Sequence, residues 1–365
     1  MFDETALKSG ERASARLRAL YRRRGYCPYR MSRFEEYELY LRNKNFLVSQ
    51  DILTFTDTDG RLMALKPDVT LSIIKNTPET AGGLQKVYYH ENVYRTSPAA
   101  MGYREIMQTG LECIGQVGPF EEGEVLSLAA ESLAAVSDRY LLDVSHLGFA
   151  AGLTARLPET VRRDILAELG RKNEAALREL CASSGVDHAL AEKLCALAGL
   201  YGGAELFPRL EALAEDETSR AALAELKALW EIMESLGLAE NLRLDFSIVN
   251  DMSYYNGLIF RGYLPGLASG VLAGGRYDNL LRKMGRQGGA VGFAVYLDQL
   301  ERLEETGSGW DGDILLLYRT EDDPAAVAKR ARELGRDGRT VRTDRSEPAG
   351  LRFRETVRFE EGGQA

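Results

Sequence analysis

The sequence predicts an α+β protein: an antiparallel sheet flanked by helices, with a helical insertion and a small C-terminal βαβ unit. Three observations lead there. Residues 84–95 and 103–114 are long segments that alternate aromatic and β-branched residues with polar ones, as strands of a half-buried antiparallel sheet do. From about 152 to 238, strand signals vanish, Leu, Ala and Glu dominate, and apolar residues recur at three- and four-residue spacing, which predicts four or five helices. After a Gly-containing linker at 307–312, GDILLLYR, a helix near 323–336 and RTVRTD read as one βαβ unit. The expected domains are therefore 1–306, carrying the insertion at about 152–238, and 311–365.

The remaining elements follow in order. A first helix fits 4–24, with Asp3 as N-cap and Gly25 as the stop, and FEEYELYLRNK at 34–44 reads as a second, shorter one. DILTFTDTDGRLMAL predicts two short strands around an Asp-Thr-Asp-Gly turn, with Gly60 supplying the left-handed position. A short helix starts near Val69. Residues 121–138 form an amphipathic helix that leads into a strand at 141–147. Strand character returns at LRLDFSIV, where Leu242, Leu244, Phe246 and Ile248 alternate with polar residues. Gly-rich strands through 257–275, a helix at 277–284, a buried strand at 291–294 and a helix at 296–305 complete the larger domain, and the tail, FEEGGQA, reads as frayed.

Composition narrows the function. The chain has 365 residues, 45% of them hydrophobic and 28% charged, an ordinary globular balance. No apolar run approaches the roughly 20 residues that span a bilayer, and the N-terminus has no apolar secretory core, so a cytoplasmic protein is expected, with no membrane partner. Cys27, Cys113, Cys181 and Cys195 lie far apart without a CxxC pair, and the three histidines are scattered, so neither a disulfide framework nor a metal site is expected. The net charge of −9 opposes general nucleic-acid binding. Residues 1–45 depart from that balance, with eleven Lys/Arg against six Asp/Glu. This is either a solvated helix face or a docking surface for an anionic partner.

Four segments place polar residues in apolar surroundings. LKPDVT puts Asp68 and Thr70 at a strand-to-helix turn, where Asp68 either caps the helix or meets a ligand. YYHENVYR closes a strand with Arg95. In YREIMQTGLECIG, positions 104, 106, 108, 110 and 112 share one strand face and read Arg, Ile, Gln, Gly, Glu. A polar face with Gly at its centre suits a ligand lying on the sheet, or else simply faces solvent. NDMSYYNGLIF carries Tyr254 and Tyr255, and is followed by LAGGRYDNLL, with Arg276, and by GGAVGFAVYLDQL, a weak phosphate-loop candidate.

The order of these strings resembles that of class II aminoacyl-tRNA synthetases, and in detail that of histidyl-tRNA synthetases, over roughly residues 10–306. LKPDVT is similar to the family's amino-acid-binding turn. YYHENVYR…YREIMQTGLECIG is similar to motif 2, SYYNGLIF…AGGRYDNLL to the histidine signature, and AVGFAVYLDQL to motif 3. The resemblance implies an antiparallel sheet flanked by helices, a dimer, and a histidine pocket formed by Asp68, Thr70, Arg95, Gln108, Glu112, Tyr254, Tyr255 and Arg276. Within it Glu112 would receive an imidazole N–H, Tyr255 would approach the ring and Thr70 would meet the ligand amine. Asp68 is one methylene shorter than the family's glutamate. No cofactor is implied.

The departures bear on activity. Asn250 stands where the histidine signature begins with an arginine, and Asp298-Gln299 where motif 3 carries glutamate and arginine. Gly102 replaces an expected arginine of the motif 2 loop, and Ser32 stands at the motif 1 proline position. Adenylate transfer develops negative charge on phosphate, and losing one fixed donor there typically costs on the order of 10²–10³ in rate. ATP activation is therefore not expected. The stretch after Trp310 is shorter than the family's anticodon-binding domain and resembles a remnant of it, so tRNA is not an expected partner. A retained amino-acid pocket beside dismantled ATP chemistry resembles a paralogous family, the regulatory subunits of ATP phosphoribosyltransferase. That resemblance implies no catalysis by this chain, a short-form catalytic subunit as partner, self-association into a dimer, and histidine as effector of the first step of histidine biosynthesis. Two rivals differ in class: a divergent histidine-activating ligase, and a synthetase-derived RNA-binding factor.

Overall fold

The computed structural model describes residues 8–44, 47, 52–78, 83–97, 102–248, 255–304 and 310–360. The chain divides into two compact units, Met1–Arg302 and Leu303–Ala365.

The first unit opens with α1 (Ser9–Arg23), which ends at Gly25 in the left-handed conformation, φ 83°. The expected cap, Asp3, lies outside the described residues. β1 (Cys27–Pro28) and β2 (Phe34–Glu36) follow, then α2 (Tyr37–Arg42). The expected helix over 34–44 thus begins three residues late. Glu35 is buried and accepts hydrogen bonds from Ser72 Oγ (2.5 Å) and Lys75 Nζ (2.9 Å), which holds its neighbours extended. β3 (Thr54–Thr56) and β4 (Leu62–Leu65) form the expected hairpin, and β2 joins them in a three-stranded sheet. Its turn is set by Asp57, whose Oδ1 accepts from the backbone N–H of Asp59 (2.9 Å) and Arg61 (2.8 Å).

Next come α3 (Thr70–Asn76), the long strands β5 (Leu84–Ser97) and β6 (Gly102–Gly115), α4 (Pro119–Ala134) and β7 (Leu141–His146). α4 stops four residues short of its expected end, where Ser137 and Arg139 turn the chain through a side-chain bond to the backbone. The helical stretch holds α5 (Leu147–Thr154), α6 (Glu159–Gly170), α7 (Glu174–Ser183), α8 (His188–Ala198), α9 (Phe207–Leu213) and α10 (Glu217–Ser235). It also contains β8 (Tyr201–Gly202), an unexpected strand of two residues, too short to show any alternation. β9 (Leu242–Asp245) ends earlier than its pattern suggests, because Asp245 Oδ1 accepts from the Ser247 N–H at 2.9 Å and turns the backbone. β10 (Leu258–Tyr263), β11 (Leu272–Arg276), α11 (Asp278–Lys283), β12 (Gly289–Tyr296) and α12 (Leu297–Glu304) close the unit.

Nine strands make one mostly antiparallel sheet in the order β1-β5-β6-β12-β11-β10-β7-β9-β8. The middle of its back face is apolar. Leu111, Phe260 and Phe293 are buried there, and Tyr21 of α1 meets Phe293 edge-on with ring centroids 5.9 Å apart. Each such side chain contributes about 1.5–3 kcal/mol by leaving water. The front face carries Arg104, Gln108 and Glu112 of β6, beside a second core cluster in which Val69, Leu71 and Ile73 pack with Tyr89, Val93, Tyr277 and Leu280.

In the second unit β13 (Gly312–Leu317), α13 (Pro324–Leu334) and β14 (Val341–Asp344) form the βαβ unit, and β15 (Phe353–Arg358) adds a third parallel strand. Sequence reading missed β15 because only Phe353 and Val357 are half-buried, and the exposed Arg354, Glu355, Thr356 and Arg358 hide the alternation.

Candidate ligand-binding site on the front of the sheet

Register places the candidate residues. On the front face Glu112 lies between Val87 of β5 and Gly292 of β12, Gly110 between Tyr89 and Ala294, and Gln108 between Glu91 and Tyr296. Directly opposed residues of antiparallel strands point to the same side, so one face gathers Glu112, Gln108, Tyr89 and Tyr296.

Two glycines decide what fits there. A Cβ at Gly292 would stand 1.8 Å from Glu112 Oε2, so the carboxylate lies flat over the neighbouring strand only because that strand has no side chain at this point. A Cβ at Gly110 would stand 2.5 Å from Tyr89 Oη. The space above Gly110, read from the sequence as room for a ligand, is filled by the protein's own tyrosine.

Glu112 is 2% exposed. Its Oε1 accepts from Thr70 Oγ1 at 2.7 Å and its Oε2 from the Tyr277 hydroxyl. Burial pushes its pKa up to about 8; the two hydroxyl donors oppose that shift and the nearby Asp68 adds to it. Thr70 opens α3 and is buried, so the residue expected to meet a ligand amine is bonded to the carboxylate expected to meet its ring. Asp68 caps α3, its Oδ1 accepting from the Leu71 N–H at 2.9 Å. Burial raises its pKa, against the pull of that bond and of the Arg95 charge. Gln108 is 3% exposed, and among the described residues its Nε2 has no hydrogen-bond partner. A buried amide without a partner costs about 1–3 kcal/mol, which a bound acceptor would recover.

The other candidates are placed differently. Arg95 Nε donates to the Pro67 carbonyl at 3.0 Å, and Arg95 faces Arg104 across the ladder. Arg276 is held by Glu122 and by Asp278 (2.9 Å to Nε), so its guanidinium is spent on internal ion pairs. Tyr255 packs half-buried against the cluster containing Tyr89 and Tyr277. Gly102 is exposed at the start of β6. Gln299 accepts from Ser269 Oγ at 3.0 Å and donates to Asp298 Oδ2 at 3.1 Å. Asn250 and Tyr254 lie outside the described residues. Sequence reasoning missed Tyr277 as a partner of Glu112, although the residue stands in AGGRYDNLL directly after Arg276. It also missed Glu122, whose place in the first turn of α4 reads as ordinary helix-start chemistry. Among the described residues no group of His, Cys, Asp and Glu could hold a metal ion, and no helix is long and apolar enough to cross a membrane.

The antiparallel sheet with its polar front face and flanking helices defines a class II aminoacyl-tRNA synthetase-like protein. A family model described as histidyl-tRNA synthetase matches residues 2–300. The ATP phosphoribosyltransferase regulatory subunit of Moorella thermoacetica is 34% identical over 300 residues, which cover 80% of this chain and 76% of that one. The chain belongs to the histidyl-tRNA synthetase family and, within it, to the regulatory subunits of ATP phosphoribosyltransferase. Among solved structures, an ATP phosphoribosyltransferase regulatory subunit/histidyl-tRNA synthetase from Bacillus halodurans C superposes with a TM-score of 0.76 at 25% identity, covering 96% of this chain and 93% of its own. A chain of the ATP phosphoribosyl transferase (HisG:HisZ) complex from Thermotoga maritima shares the fold, with a TM-score of 0.62 at 19% identity, covering 79% of this chain and 97% of that one.

Proposed function

We propose that this chain is a non-catalytic, cytoplasmic subunit that assembles with a short-form ATP phosphoribosyltransferase, raises its activity and conveys feedback inhibition by histidine. The observation that carries the reading is an asymmetry in the site. On the amino-acid side, Glu112, Thr70 and Tyr277 form an ordered buried cluster, with Gln108 Nε2, unpartnered among the described residues, on the same sheet face. On the nucleotide side, the motif 3 position expected to be cationic is the neutral Gln299, bonded to Ser269 and Asp298. Phosphoryl chemistry needs fixed positive charge, whereas recognition of an imidazole needs a carboxyl or hydroxyl that can take or give one proton.

The assembly is a dimer of this chain joined to catalytic subunits. The exposed Arg18, Arg22 and Arg23 of α1 form a cationic face for docking. tRNA is not a partner, since the acidic net charge works against it. Co-expression with a short-form ATP phosphoribosyltransferase tests the reading. The two chains elute as one species and the catalytic rate rises above that of the catalytic chain alone. A catalytic chain with full rate and full histidine sensitivity by itself would overturn it.

A further inference from the structure

Far from Glu112, at the β8 edge of the large sheet, two aspartates are buried on adjacent strands. Asp143 of β7 and Asp245 of β9 are each 5% exposed, and the two strands are parallel neighbours. Asp143 accepts from the Tyr201 hydroxyl of β8 at 3.3 Å. Asp245 Oδ2 accepts from Lys172 Nζ at 2.8 Å, and the same ammonium sits 4.8 Å above the Tyr201 ring. Arg243, beside Asp143 on β9, and Arg261, opposite it on β10, are the further charges facing the pair, and Tyr263 of β10 is the further titratable group.

Lys172 reaches this place from the turn between α6 and α7, and its backbone is unusual. Among the described residues it is the one non-glycine with positive φ, at 54°. A helix of this kind commonly ends in glycine at that position, because a Cβ is strained there. The strain persists although glycine would remove it, so the side chain has a use.

We infer that Lys172 is a charge latch: its ammonium, bonded to Asp245 and seated on Tyr201, fastens the α6–α7 turn to the sheet edge by offsetting the Asp143–Asp245 pair. The sign with pH follows. Burial first, and then the Asp245 charge, raise the Asp143 pKa to about 6. Below that the pair carries one charge and needs the ammonium less; above it the pair carries two and needs it most.

The test is native-state hydrogen exchange of the full chain at the amides of α6 and α7, at pH 5 and pH 8, each referred to its intrinsic rate. Lys172→Met removes the charge and keeps the stem, and Lys172→Gly also relieves the backbone. Both variants are expected to speed exchange at pH 8, by roughly two- to tenfold for a partly exposed ion pair with a cation–π contact, and by less at pH 5. Adding Asp143→Asn to Lys172→Met restores protection. If Lys172→Gly instead slows exchange, the residue is only a strained turn position and the latch is wrong. Effects equal at both pH values, or no effect, overturn it as well.

Discussion

Gly292 and Glu112 are opposed across β12 and β6 so closely that any Cβ at 292 would stand 1.8 Å from Glu112 Oε2. A buried carboxylate on a strand is ordinarily crowded by its neighbours; here the adjacent strand yields to it. Gly292→Ala is expected to drive Glu112 off the Thr70 and Tyr277 hydroxyls. Overpacking of this kind costs about 1–3 kcal/mol. Urea unfolding measures the loss, and histidine binding by calorimetry should fall with it. A Cβ there would also stand 2.5 Å from the Leu111 carbonyl oxygen, so an alanine variant with unchanged stability would mean that both the carboxyl and the strand give way freely.

Stability should fall as pH rises from about 4.5 to about 8. Glu112 keeps its proton in the folded chain to about 8, whereas its ordinary value is 4.5, so across that window the folded state binds more protons than the unfolded one. The contribution is full below the unfolded value and lost as pH climbs through the folded one. Unfolding midpoints from pH 5 to pH 9 check this, and Glu112→Gln should flatten the slope. A wild-type profile that rises over the same window would contradict the assigned protonation.

Tyr277→Phe removes one donor from a carboxyl that is only 2% exposed. Leaving such a group short of a partner costs about 1–3 kcal/mol, and loss of the donor raises the Glu112 pKa further. The variant should therefore be less stable than wild type, by a margin that grows toward pH 9. A loss independent of pH would place the Tyr277 ring, rather than its hydroxyl, at the centre of the effect.

The strands, most helices and the resemblance were legible because long amphipathic alternation and ordered motifs are local signals. What escaped was set by partners distant in sequence. Residues 34–36 are extended because Glu35 binds Ser72 and Lys75. β15 exists because β13 offers it a parallel edge. Within the site, parity along β6 correctly put Gln108 and Glu112 on one face, but nothing near Gly110 announces that Tyr89 covers it, and Arg276 gives no local sign of its bonds to Glu122 and Asp278. Spacing fixes which way a side chain points; what meets it depends on register.

On the proposed function, the purified chain shows no histidine-dependent exchange of pyrophosphate into ATP. Two positions expected to be cationic, Asn250 and Gln299, are neutral, and each missing donor removes on the order of 10²–10³ in rate. Turnover near ~1 s⁻¹, within the ordinary enzyme range, would establish the ligase reading instead.

In the proposed function histidine feedback passes through the carboxyl of Glu112, and the most direct measurement is a histidine titration of the reconstituted complex with wild-type and Glu112→Gln chains, each normalised to its own uninhibited rate. Glu112→Gln keeps the volume but removes the proton that the Glu112 carboxyl can pass to a bound imidazole, and with it the ion pair that this transfer forms. A charge-assisted hydrogen bond is worth about 1.5–3 kcal/mol, so the inhibition constant should weaken roughly ten- to a hundredfold. Superimposable inhibition curves for the two complexes would contradict the account and locate histidine sensing elsewhere.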